Sequence, residues 1–322
     1  MLSTELKSQI QGAYSRFLEA KSLKPRYGQR LMIAEIAKVL GAIKTDDEGR
    51  RLGDPAVVAV EAGTGTGKTV AYSLAAIPTA KAAGKRLVIA TATVALQEQI
   101  VHKDLPDLMR NSGLNFSFAL AKGRGRYLCL SKLDILLQEG QAQSATAQLF
   151  EEEGFKIDVD EQSQKLFTTM IEKLAGNKWD GDRDSWPEEL EDTRWSQLTT
   201  DHSQCTNRHC PNFQQCAFYK AREGMGKVDV IVTNHDMVLA DLALGGGAVL
   251  PDPRDTLYVF DEGHHLPDKA IGHFAHFTRL RSTADWLTQI DKNLTKLLAQ
   301  NPLPGDLGRL NEQVPELARE LK

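Results

Sequence analysis

The chain has 322 residues, 41% of them hydrophobic and 25% charged, with a formal net charge of −4. Those proportions exclude a disordered polyelectrolyte, and no apolar run reaches the length of a membrane-spanning helix. Net acidity excludes a chain that binds polyanions over its whole surface, though not one that does so through a local basic stripe.

Residues 1–20 are polar and mixed in charge, without the apolar centre of a secretory signal, so the sequence predicts a cytosolic protein with no membrane association. Next come a helix-compatible stretch at 29–40 and a charged, Gly/Pro-containing loop at 45–55. Short apolar runs recur at 56–60, 86–90, 116–120, 228–233 and 257–260. Their length and Val/Ile content suit strands buried on both faces. Further helix-compatible stretches lie at 69–83 and 94–109, and alternating strand and helix predicts an α/β fold with a parallel, doubly wound sheet. From 129 to 219 no strand pattern occurs; this stretch holds all four cysteines and most of the tryptophans and reads as an insertion. After residue 266 the pattern turns helical, with Trp286, Leu287, Ile290, Leu294, Leu297 and Leu298 spaced as a core-facing stripe.

The most specific motif is Ala62-Gly63-Thr64-Gly65-Thr66-Gly67-Lys68-Thr69. It differs from the usual phosphate loop only in beginning with Ala. The glycines let backbone N–H groups turn inward around phosphate oxygens, Lys68 reaches the β- and γ-phosphates, and the Thr69 hydroxyl ligates Mg²⁺. A strand before it and a helix after it are the setting this loop requires. The run at 257–260 ends in Asp261-Glu262-Gly263-His264. Carboxylates at the carboxyl end of such a strand lie where doubly wound sheets bind ligands. Asp261 is expected to hold Mg²⁺, Glu262 to orient and deprotonate the attacking water, and His264 to couple the site to moving parts. Together these residues predict a site for ATP and Mg²⁺.

Cys129, Cys205, Cys210 and Cys216 contain no CxxC pair, which disfavours an ordinary zinc ribbon. Four thiolates suit zinc or a [4Fe–4S] cluster, and with His202 and His209 nearby a mixed Cys/His zinc site stays open, as do unligated thiols. Lys122, Arg124 and Arg126 form a basic stripe leading into Cys129, suited to gripping phosphates. Tyr127, Phe213, Phe218 and Tyr219 either stack on bases or form the core of the insertion.

Taken in order, these motifs resemble the XPD-like superfamily-two iron–sulfur DNA helicases of bacteria over about residues 29–267. Asp261-Glu262-Gly263-His264 is similar to their DEAH box and residues 63–69 to their first motif. The segment 91–99 resembles their motif Ia, which touches single-stranded DNA, so Thr91, Thr93 and Gln97 become expected DNA contacts beside Lys122, Arg124 and Arg126. Gln29 sits where the family's adenine-reading glutamine sits. In the family one cysteine follows a Gly-Arg-Gly-Arg-Tyr stretch and three cluster downstream, as Cys129, Cys205, Cys210 and Cys216 do here. The resemblance therefore implies a [4Fe–4S] cluster on these four and makes the two histidines neighbours.

The resemblance also implies a RecA-like motor domain, with residues 1–121 and 223–267 enclosing an iron–sulfur domain at 122–222, and the start of a helical arch at 268–322. It implies a monomeric, ATP-dependent 5′→3′ DNA helicase of the bacterial cytosol or nucleoid. Such an enzyme acts on single-stranded DNA and DNA or DNA–RNA junctions in repair or replication-block resolution. The family's Ser-Ala-Thr and Gln-x-x-Gly-Arg motifs do not occur after the DEAH box, so the chain is expected to be the first motor half, weak by itself. Two other readings stand beside it: a nucleotide-gated nucleic-acid-binding module complete at this length, and a phosphate-loop ATPase with a zinc-binding insert.

Overall fold

The computed structural model describes residues 2–48, 51–142, 161–201 and 204–275, with single positions 313, 316 and 320 beyond them. The expected stripe from Trp286 to Leu298, and with it the arch, lies outside the described residues. The chain divides into two units, Met1–Ala270 and Ile271–Lys322; the sheet, the insertion and the site described below lie in the first.

Helix α1 (Thr4–Ala20) starts where the Ser3 hydroxyl accepts the Leu6 N–H at 3.1 Å, and it buries Leu6, Ile10, Tyr14 and Phe17. Those residues recur at helical spacing. Helix α2 (Tyr27–Leu40) is followed by a short antiparallel pair, β1 (Lys44–Thr45) and β2 (Arg51–Leu52), inside the expected loop. Then come α3 (Lys68–Ala82), β3 (Arg86–Thr91), α4 (Val94–Gln99) and α5 (Leu105–Ser112). A π turn, Ile100–Asp104, joins α4 to α5 without a break. Strand β4 (Phe118–Leu120) leads into the insertion, whose described helices are α6 (Leu130–Ala142), α7 (Glu161–Ala175), α8 (Asp192–Leu198) and α9 (Ala217–Met225). The chain then re-enters the sheet with β5 (Val230–Asn234), α10 (His235–Ala243), β6 (Thr256–Phe260) and α11 (Leu266–Phe274).

The main sheet has the order β4-β5-β3-β6, with every pairing parallel. Side chains of a strand alternate between faces. Leu87 and Ile89 accordingly join a core built with α1, α2, α3 and α5, while Val88 and Ala90 join one built with Val238 of α10 and Leu250. Both faces are covered, which is the doubly wound α/β arrangement expected. The insertion has a separate core of Leu128, Leu133, Phe167, Met170, Trp179, Trp186, Trp195 and Leu198. Tyr127 and Phe218 pack edge to face with ring centroids 5.7 Å apart, so these aromatics serve packing.

One expected strand is corrected. Residues 56–60 carry no ladder, and Val57 is 81% exposed. A strand exists only against a hydrogen-bonding neighbour. Among the described residues β6 forms the sheet edge, and nothing pairs with 56–60.

Candidate active site

The loop before α3 turns at Gly65 (φ 74°) and Gly67 (φ 78°), in the left-handed region that a Cβ resists. At Gly67 a Cβ would also stand 2.5 Å from Gln29 Nε2. Helix α3 begins at Lys68, directly after Gly67, so its unpaired N–H groups open onto the loop. Thr66 Oγ1 donates to the Gly63 carbonyl at 2.8 Å and closes the turn. Gln29 faces the loop: its Nε2 donates to the Gly67 carbonyl at 3.2 Å, and its Oε1 accepts from the Tyr14 hydroxyl at 3.0 Å. Arg26, not foreseen, donates from Nη1 to the Gly65 carbonyl at 2.7 Å. Arg26 and Gln29 thus brace the loop directly, and Tyr14 of α1 holds Gln29 in turn.

The second half of the site arrives on β6. Lys68 Nζ lies 3.0 Å from Glu262 Oε1, a contact between residues 194 apart in sequence, and 3.3 Å from the Ala62 carbonyl. Parallel pairing of β3 with β6 explains the meeting, since both strands end on the loop side. Glu262 has φ 52°, a left-handed conformation costing a non-glycine residue roughly 1–2 kcal/mol. The bond to Lys68 holds its carboxyl below the usual 4.5. Burial pushes the Asp261 carboxyl above its usual 3.8. Asp261 Oδ2 accepts from the Tyr72 hydroxyl at 3.2 Å and Oδ1 from the Glu262 N–H at 3.1 Å. Burial, reinforced by Asp261, raises the Tyr72 phenol well above 10.0, so it stays a donor. His235, fully buried, donates from Nε2 to the Asp261 carbonyl at 2.9 Å, and the Asp261 N–H bonds the Ala90 carbonyl at 2.8 Å. The Asp261-Glu262 corner is therefore tied to β3 and to the first residue of α10. His264 Nδ1 stands 3.4 Å from Glu262 Oε2.

The expected DNA-facing residues divide. Thr91 and Gln97 are fully buried, which removes them as side-chain contacts: Thr91 Oγ1 donates to the Thr93 carbonyl, and Gln97 faces inward. Thr93 is exposed and caps α4, its hydroxyl accepting the Leu96 N–H. The Lys122 side chain, 7% exposed, is enclosed by Asp182 and Asp184 at 2.7 Å and Glu98 at 3.1 Å. It is an internal counter-charge and not part of an open stripe, because the insertion folds its own carboxylates onto it. Arg126 pairs with Asp184.

Cys129, Cys205, Cys210 and Cys216 are half-buried free thiols lining one cleft with Tyr127, Phe218 and Tyr219. Arg124 lies over the Phe218 ring, 4.5 Å from its centroid, and its Nη1 donates to Cys205 Sγ at 2.8 Å. The Ser131 hydroxyl is 3.0 Å from Cys210 Sγ. Burial pushes the Cys129 thiol up. Among the described residues no three metal-ligating side chains converge closely enough to hold one ion.

Residues 42–146 match the DEAD/DEAH box helicase family. The ATP-dependent DNA helicase DinG of Photobacterium profundum is 41% identical over 298 residues, covering 92% of this chain and 41% of that protein. The ATP-dependent DNA helicase DinG of Escherichia coli (strain K12) is 38% identical over 300 residues, covering 92% of this chain and 39% of its own length. Among solved structures an XPD helicase aligns over 92% of this chain and 47% of its own, at 14% identity and a TM-score of 0.44. The chain thus spans about two-fifths of the length of these curated relatives.

Proposed function

We propose that this chain is the ATP-binding motor half of a DinG-like DNA helicase, using ATP and Mg²⁺ to drive 5′→3′ movement on single-stranded DNA in the bacterial cytosol. The observation that carries the reading is the meeting of Lys68 and Glu262 across 194 residues. It joins the phosphate loop and the DEAH corner into one site. With Lys68 28% and Glu262 31% exposed, their ion pair is worth about 0–1 kcal/mol. The phosphates of bound ATP, a far denser anion held also by the N–H groups of α3, outcompete it. Lys68 then passes to the phosphates and Glu262 is freed to polarise a water. Thr69 and Asp261 would hold Mg²⁺, which neutralises charge on the β- and γ-oxygens. Gln29 and Arg26 stiffen the loop on which the nucleotide rests.

DNA contact falls to Thr93 at the exposed end of α4 and to Arg124 and Arg126 at the start of the insertion. Four thiols lining one cleft, with Arg124 supplying a positive charge to Cys205, suit a [4Fe–4S] cluster held by Cys129, Cys205, Cys210 and Cys216. The group would pin the insertion's loops. Junction preference and a role in repair follow the same reading.

Binding of a fluorescent ATP analogue to this chain, with and without single-stranded DNA, tests the proposal. Lys68→Ala should abolish nucleotide binding, and wild-type chain that ignores ATP would sink the reading. Iron and sulfide analysis with visible absorption tests the cluster; stoichiometric zinc without iron would overturn that part.

A further inference from the structure

Tyr72 lies on α3 three residues after Thr69, so the two side chains share one helix face. Its ring is 5% exposed and packed in the core under the sheet. Its hydroxyl does not settle on a nearby backbone carbonyl, as an ordinary buried tyrosine's can. It donates to Asp261 Oδ2 at 3.2 Å, across 189 residues of sequence, with Thr69 one turn earlier on the same helix. Thr69 and Asp261 are the two protein groups assigned to Mg²⁺ above. With Oδ1 taken by the Glu262 N–H, each oxygen of Asp261 has one fixed donor.

We infer that Tyr72 is a positioning residue for the metal, its hydroxyl fixing the Asp261 carboxylate on the face of α3 that carries Thr69, so that Mg²⁺ meets a preoriented ligand. The inference rests on the nucleotide site proposed above. A carboxylate without this donor must be oriented by the arriving ion at the expense of metal affinity. Neither the phosphate loop nor the DEAH corner contains Tyr72, so their sequence patterns do not assign it this part.

The test is the Mg²⁺ dependence of fluorescent ATP-analogue binding by this chain and by Tyr72→Phe, which keeps the ring. The Mg²⁺ concentration at half-saturation should rise about three- to tenfold, the size of losing one hydrogen bond of ordinary net strength. Analogue binding in EDTA should stay unchanged. In an Asp261→Asn background the same substitution should add no further shift. Tyr72→Phe with wild-type Mg²⁺ dependence overturns the inference, whatever its melting temperature, because the hydroxyl would then serve folding alone. So does an equal shift with and without Asp261. A wild-type chain that binds no analogue, or binds it indifferently to Mg²⁺, removes the nucleotide-site reading as well, which separates the two failures.

Discussion

Replacing Lys122 by methionine separates an internal counter-charge from a DNA contact. The methionine keeps most of the aliphatic stem and removes the ammonium, which lies 2.7 Å from Asp182, 2.7 Å from Asp184 and 3.1 Å from Glu98. Breaking a buried ion pair costs about 3–5 kcal/mol, because the partners stay behind uncompensated. Here Arg126 still pairs with Asp184, and the carboxylates are 13% and 22% exposed, so the lower end, about 3 kcal/mol, applies. For a unit of this size that lowers the melting temperature by roughly 6–10 °C. A pH signature accompanies it. Burial already lifts the Asp182 carboxyl, and Lys122 opposes the lift. Without the lysine Asp182 takes up a proton at higher pH, so the deficit is largest near neutrality and shrinks as pH falls toward the carboxylate range. The assay is thermal unfolding of both chains across that range, with DNA binding measured at several salt concentrations. A phosphate contact would instead leave the melting temperature alone and lower the salt slope by about one unit; that result refutes the structural assignment.

Other expectations follow from the same geometry. Glu262→Gln releases Lys68, so it should keep nucleotide binding or tighten it up to about fivefold while removing whatever hydrolysis the assembled motor shows. Burial holds the His235 ring below its usual 6.5, so the unfolded chain takes up this proton more readily than the folded one. Its stability contribution is therefore complete above that value and declines below it, at up to about 1.4 kcal/mol per pH unit; His235→Gln should flatten this part of the unfolding profile between neutrality and mild acid. Trp195→Ala removes a 2%-exposed ring from the insertion core and the Nε1 bond to Gly125 at 2.6 Å, at about 3–5 kcal/mol. Iodoacetamide should then label the four cysteines faster while nucleotide binding changes less than twofold. Asp241, buried, accepts the N–H groups of Gly247, Val249 and Leu250, so Asp241→Ala should cost about 2–4 kcal/mol in chemical denaturation.

The sheet and the phosphate loop were legible because their signals are local. Short Val/Ile runs, glycines at fixed offsets and a carboxylate pair after a strand all lie within a few residues of each other. The residues bracing the site were not, since Tyr72, His235 and Arg26 acquire their meaning from partners 189, 26 and 39 residues away. Lys122 misled for a related reason. A basic run reads as a solvated face until a distant loop, here Asp182 to Asp184, supplies its counter-charges. The run at 56–60 has the right composition for a strand, but composition does not report whether a neighbour is there to pair with it. Helix α1 is different: its signal, Ser3 followed by Leu6, Ile10, Tyr14 and Phe17, stood in the sequence behind a polar average.

The π turn at Ile100–Asp104 sets an angle between two jobs of one rod. An α-helix advances about 100° per residue, so accommodating one extra residue within a turn rotates everything before it relative to everything after it. Downstream, Leu105 and Leu108 are locked in the main core; upstream, Thr93 and Val94 face outward while Gln97 faces in. Deleting a single residue from the turn would leave the buried end seated and swing the outer end by about a quarter of a revolution. The surface next to the insertion is thus aimed by helical phase, and a one-residue deletion there would re-aim it while leaving every side chain on that surface chemically intact.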